Sequence, residues 1–214
     1  MASPIVWKNV SVAMQSALGT AKTITGITKA NPGVVSSTAH GFTAGDVVYL
    51  DIQGMHQLNE KAVRVANVTI DTFELEGVDT TAFETFSSGT AQEVTLGTSI
   101  TSATTISASG GDFDFIDTTT IHSNAKSLIP GLPAATTFSM DNIWDAADAG
   151  LLAMKAASDA QAKRVFKFQF GTGGKIILFA GYVGCSLLPG GSAQSLVTTQ
   201  AVITMNGTPT YYAS

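Results

Sequence analysis

The chain has 214 residues, a length that suits one large domain or one domain with a small companion. It is 44% hydrophobic, carries 21 glycines and is only 13% charged, against about 25% in an ordinary soluble domain. So little charge implies a surface covered by something, most simply by further copies of the chain, and a net charge of −5 gives no sign of tight nucleic-acid binding by a basic face.

The opening "MASPIVWKNV" has no charged region leading into an apolar run, so no signal peptide is expected. No apolar stretch reaches about 18 residues, so no membrane span is expected either. The single cysteine, Cys185, excludes a disulfide within the chain and a cysteine-based zinc cluster. In "GYVGCSLLP" it reads as a buried, inert thiol on a strand. These features fit a protein made in a cytoplasm.

In chain order, "VSVAMQSAL" is the first strand-like run. From Thr25 to Ala91 the pattern is that of a compact all-β module. "PGVVSSTAHGFTAGDVVYLDIQGM" predicts strand, turn, strand, and "KAVRVANVTIDTFELEGV" predicts two more strands about "VTIDT". Turns fall at Gly45-Asp46 and Asp71-Thr72. A spacing of about ten residues per strand suits a small barrel. Residues 25–91 hold three bases (Lys29, Lys61, Arg64) against eight acids, whereas the rest holds eight of each. The whole net charge therefore lies in this segment, as expected of a solvated appendage on a more buried body.

The body, residues 1–24 and 92–214, resumes with the β-branched "EVTLGTSITSATTISASGG" and a further strand in "PAATTFSM". A helix is expected from Asp141, its N-cap, to about Ser158, with Ile143, Trp144, Ala147, Leu151 and Met154 on one face. Gly150 weakens its interior by about 1 kcal/mol. "RVFKFQFGTGGKIILFAGYVGC" predicts a hairpin with Phe166, Phe168 and Phe170 on one face and Lys167 and Gln169 on the other. A last strand, "SLVTTQAVITM", precedes the tail "NGTPTYYAS".

Chemistry is hard to assemble from this text. "GGDFDFIDTTTIHSNAKSLIPG" places Asp112, Asp114, Asp117 and His122 close together. A calcium loop counted from Asp112 needs glycine and glutamate where Asp117 and Ser123 stand, and a transition metal needs more His or Cys. The favoured reading is a half-buried strand, with Asp112 and Asp114 on an acidic exposed face and Phe113 and Phe115 on the other. "GTGGK" misses the phosphate-loop spacing at Gln169 and Ile176 and reads as a turn. His40 and His56 lie near turns without spaced partners and read as structural. No G-x-S-x-G elbow is present. No enzyme, cofactor or metal is expected.

Three stretches of the body resemble the tail tube (major tail) proteins of long-tailed bacteriophages. They are "DFDFIDTTTIHSNAKSLIPGL", "AGLLAMKAASDAQAKRVFKFQFGTGGKIILFAGYVG" and "TTQAVITMNGTPTY". "VWKNVSVAMQSALGTAKTI" is similar to the start of such proteins. Residues 25–91, through "AHGFTAGDVVYL", "GMHQLN" and "TFELEGVD", resemble a small β-barrel of phage structural proteins, similar to the first catalytic-cysteine half-domain of ubiquitin-activating enzymes. The segment has no cysteine, so no such chemistry transfers.

The resemblance implies a mainly β fold: a tail-tube sandwich or barrel with one flanking helix, plus the inserted barrel as decoration. It implies homohexameric rings stacked into a hollow tube, with DNA only as passing cargo and no membrane. Tape measure and tail terminator proteins are the implied partners, and assembly is expected in the host cytoplasm. The loop 118–131 is expected to touch another subunit or ring through Thr118, Thr119, His122, Lys126, Ile129 and Pro130. Asp112 and Asp114 are expected to face the lumen. Residues 92–148 carry seven acids and one base, and 149–214 one acid and five bases, a polarity suited to contacts between subunits. A knob outside the tube favours a non-contractile tail. The alternatives are an adhesin-like binding module, with Phe42, Tyr49, Phe83 and Phe86 as its aromatics, or the tube of a related secretion apparatus.

Overall fold

Period-two alternation dominates the sequence, and the computed structural model, which describes residues 7–213, is accordingly built mostly of antiparallel strands. These are β1 (Val10–Met14), β2 (Ala17–Leu18), β3 (Lys22–Ile24), β4 (Gly26–Ile27), β5 (Val34–Ser36), β6 (Val47–Gln53), β7 (Ala62–Ala66), β8 (Thr72–Leu75) and β9 (Ser88–Thr95). There follow β10 (Thr98–Ile100), β11 (Ala103–Ser109), β12 (Phe113–Asp117), β13 (Leu128–Pro133) and β14 (Thr137–Ile143). The one α-helix among the described residues, α1 (Ala149–Asp159), precedes β15 (Lys163–Phe170), β16 (Ile176–Cys185) and β17 (Thr198–Tyr212). Among the described residues no helix is long and apolar enough to cross a membrane.

The first sheet has seven strands in the order β10-β1-β15-β16-β17-β14-β11. The expected hairpin is its centre, with Phe166 and Phe168 fully buried. Phe138 and Phe166 stack on Phe179, and Phe168 meets it edge-on at 5.4 Å between centroids. Leu151, Met154 and Ala157 of α1 close this core from outside. The "GTGGK" segment is the turn between β15 and β16, with Gly171 and Gly173 at positive φ.

The second sheet runs β2-β9-β6-β7-β8-β5-β4, with β3 also on β9. It encloses its own cluster, including Val48, Leu50, Ile52, Phe73 and Leu75. It draws on β2, β3 and the end of β9, and so extends past residues 25–91 on both sides. Lys22–Ile24 pair with Gly89–Ala91, which brings the entering and leaving chain side by side. His40 is buried here: Phe42 N–H donates to its Nδ1 at 3.0 Å, as a structural histidine should. Phe42 is itself buried, while Tyr49, Phe83 and Phe86 are half-buried, the last two against the same cluster.

The two sheets are docked rather than tethered. Ala62 and Val94 pack with Val165, Leu178, Ala180 and Tyr212. The Thr210 hydroxyl donates to Ala62 O at 2.8 Å, and Arg64 N–H donates to the Tyr212 hydroxyl at 2.7 Å. Arg64 also stacks over the Tyr212 ring and pairs with Glu76. Lys163 reaches Glu60 at 2.5 Å, and Asn206 donates to the same carboxylate.

Two expectations are corrected. Asp141 caps nothing: it lies in β14, paired with Thr105 on one side and Gln200 on the other. With its backbone inside the ladder, helical pairing is foreclosed. Ile143 belongs to the same strand, and the Trp144 indole donates to Leu187 O at 3.0 Å. The helix starts eight residues later, where the Asp148 carboxylate accepts from Leu151 N–H at 2.7 Å. Gly150 is kept despite its helical cost because a Cβ there would lie 2.8 Å from Ser99 O. The expected tail is also strand: β17 continues to Tyr212, past an irregularity where Gly207 has φ +75.

Asp148→Ala should lower unfolding free energy by about 1 kcal/mol in urea titration. Asp141→Ala, exposed on its strand, should change it by less than about 0.5 kcal/mol.

Candidate functional site

Between β11 and β14 the chain leaves the first sheet altogether. Gly110 and Gly111 take φ of +88 and +86, a conformation other residues adopt at a cost, and a Cβ on Gly110 would lie 2.3 Å from Ala135 O. Beyond them β12 and β13 form a separate two-stranded hairpin, an arm with Phe115 opposite Pro130 and Ile116 opposite Ile129. Its base is tied by Gly111 N–H to Ala134 O at 3.1 Å and Ala134 N–H to Asp112 O at 2.8 Å.

The arm's tip is stitched by its own polar groups. Thr118 N–H donates to Ser127 O at 2.9 Å, and Ser127 N–H donates to the Thr119 hydroxyl at 3.0 Å. The Asp117 carboxylate accepts from Thr119 N–H at 2.8 Å and lies 3.7 Å from Lys126 Nζ. Thr118, Thr119 and Lys126 thus hold the hairpin's shape. His122, Ile129 and Pro130 stand exposed on it. All six residues expected at a contact share this one projection, together with Asp112 and Asp114.

The alternation of Asp and Phe suggested a strand buried on one face. Every residue of β12 is instead exposed, because the hairpin packs on no other sheet. Phe113, Phe115, Ile116, Leu128 and Ile129 are 44–62% exposed, Leu132 85% and Ile121 97%. So many large apolar side chains this exposed on one small hairpin are unusual for a monomer and mark it as a contact surface. Sequence reading named the polar tip with Ile129 and Pro130 and missed the rest of this apolar set. The signal was present in the Phe, Ile and Leu residues on both faces of "FDFID" and "LIPGLP".

Among the described residues no group of His, Cys, Asp or Glu is placed to hold a metal ion. Burial pushes the Cys185 thiol pKa up, and its N–H donates to the Ser158 hydroxyl, the surroundings of an inert core cysteine.

A family model described as "Phage tail tube protein, TTP" matches residues 53–214. The match begins at the last residue of β6 and takes in all strands from β7 onward, the arm and α1. No curated protein matches the chain.

Asp117 is held below the usual carboxylate range, first by the Thr119 hydroxyl, then by the Thr119 N–H, with Lys126 contributing less. A depressed carboxylate stabilises the fold above its unfolded pKa and loses that contribution as pH falls through the folded one. In an NMR titration, Thr119→Val should therefore raise the Asp117 pKa more than Lys126→Ala does. The tip's amides should lose their separate shifts only at acid pH.

Proposed function

Because the chain belongs to the phage tail tube protein family, whose members are structural components of the virion tail, we propose that six copies close a ring and that rings stack into a hollow conduit for DNA delivery. The exposed arm carries this reading: it bares seven large apolar side chains and, among the described residues, joins no other sheet. Thr118, Thr119, His122, Lys126, Ile129 and Pro130 lie in or beside the contact with another subunit. Head-to-tail contact between unlike surfaces is the geometry that builds rings and filaments.

Asp112 and Asp114 face the lumen, where carboxylates repel passing phosphates and let the genome slide. A tape measure protein fills the tube during assembly in the host cytoplasm, and a terminator protein closes it. The acidic segment 25–91 decorates the outside as an inserted domain. A sheath would collide with it, so the tail is non-contractile. Support for decoration comes from the segment's charge and from the adjacent chain crossings at Lys22–Ile24 and Gly89–Ala91.

Phe115→Asp or Ile129→Asp should leave thermal unfolding nearly unchanged, since both side chains are exposed. Either should raise the concentration needed for tubes, seen by negative-stain microscopy, about tenfold or more. Unaltered tubes from both variants would contradict the arm's role. Removing residues 25–91 bares Leu178 and Tyr212, so that deletion should be combined with Leu178→Thr. Narrower tubes are then expected; a folded deletion that never assembles would refute pure decoration.

A further inference from the structure

The seven-stranded sheet ends on two strands that are neighbours in sequence. β10 is one edge and β11 the other, and only Thr101 and Ser102 separate them. The sheet must therefore curl until its edges meet at that link, and beyond it they part. β10 covers only Val12–Met14 of β1, so among the described residues Val10 and Ser11 have no strand on that side. β11 is paired by β14 on one side alone. A cleft of about 740 Å³ opens between them, lined by Val10, Ser11, Thr104, Thr105 and Ile106 among others. Its floor is the main core: Val12 and Ile100 belong to it, and Val10 and Ile106 pack against it.

We propose that this wedge receives strand β12 from the arm of a second copy, whose backbone completes the curled sheet across the subunit boundary. The inference rests on the tube-subunit reading above and names the acceptor that reading leaves open. Two facing strand edges offer unpaired N–H and C=O groups to an extended segment, the geometry of strand addition. Of the arm's strands, β13 carries Pro130 and Pro133, which lack N–H groups and blunt its outer edge. β12 has no proline, so every residue along it keeps its N–H. Alternation turns Phe113 and Phe115 toward the apolar floor and Asp112 and Asp114 away from it. The described residues lining the cleft include no acid to repel β12. Within its own chain β12 pairs only with β13, so the strand that fills the wedge is taken from another copy.

Hydrogen exchange of the unmodified chain, before and after tube formation, tests this directly. Amides of residues 10–11, 104–106 and 113–117 should exchange about tenfold or more slowly in tubes. Well-formed tubes whose 10–11 and 104–106 amides are unchanged, or already protected in the monomer, overturn the inference and leave the tube reading intact. No tubes at any concentration overturns both. Cysteine pairs identify the strand: Asp114→Cys with Thr105→Cys, and Asp114→Cys with Ser11→Cys. At least one oxidised pair should give a ladder of linked subunits that no single variant gives. Protection of the wedge with no ladder from either pair assigns it to another segment and overturns the choice of β12.

Discussion

A strand that stops pairing leaves a row of N–H and C=O groups that water or another strand must satisfy, and this constraint organises the whole molecule. Because β10 and β11 are joined by two residues yet sit at opposite edges, the first sheet cannot lie flat. Its curl encloses the core of Phe166, Phe168 and Phe179, and α1 plugs the outside with Leu151 and Met154. The same curl leaves edges that the chain by itself does not finish. The arm poses the problem again in smaller form, since a two-stranded ribbon without a third strand or a packed face is marginal in water.

The long hairpin β16–β17 joins the molecule's two parts. Phe179, Val183 and Cys185 of β16 and Ala201 and Ile203 of β17 serve the main core. The other ends of the same strands, at Leu178 and Tyr212, meet Ala62 and Val94 of the second sheet. The acidic segment thus stands on strands that also build the body. Its orientation is fixed further by Glu60, held by both Lys163 and Asn206, and by Arg64 stacked on Tyr212. A charge-rich surface that is this firmly seated presents one defined face to its surroundings.

Much of the fold was legible because alternation reports burial. "VVYLDIQ" and "KRVFKFQF" bury every second residue or nearly so, and they form the strands they predict. The helix start was not legible. Asp141 is a plausible cap by residue type, and residues 141–154 satisfy a helical spacing, while their first three sit between β11 and β17. Pairing partners distant in sequence decided the matter, and no local pattern records them. The arm shows the converse. Its residues were singled out, but the period-two pattern of "DFDFID" implied a buried face, and none of β12 is buried within its own chain.

The two glycines at the arm's root set more than a bend. Their backbone angles, not their neighbours' side chains, determine the direction in which the hairpin departs from β11. Reach and recognition are thereby written in different places. The surface of "DFDFID" and "SLIPGL" can drift to match a changing counterpart while the launch angle stays constant. In a repeating assembly that angle acts as a ruler: a small error in it recurs at every step and accumulates as twist along the filament.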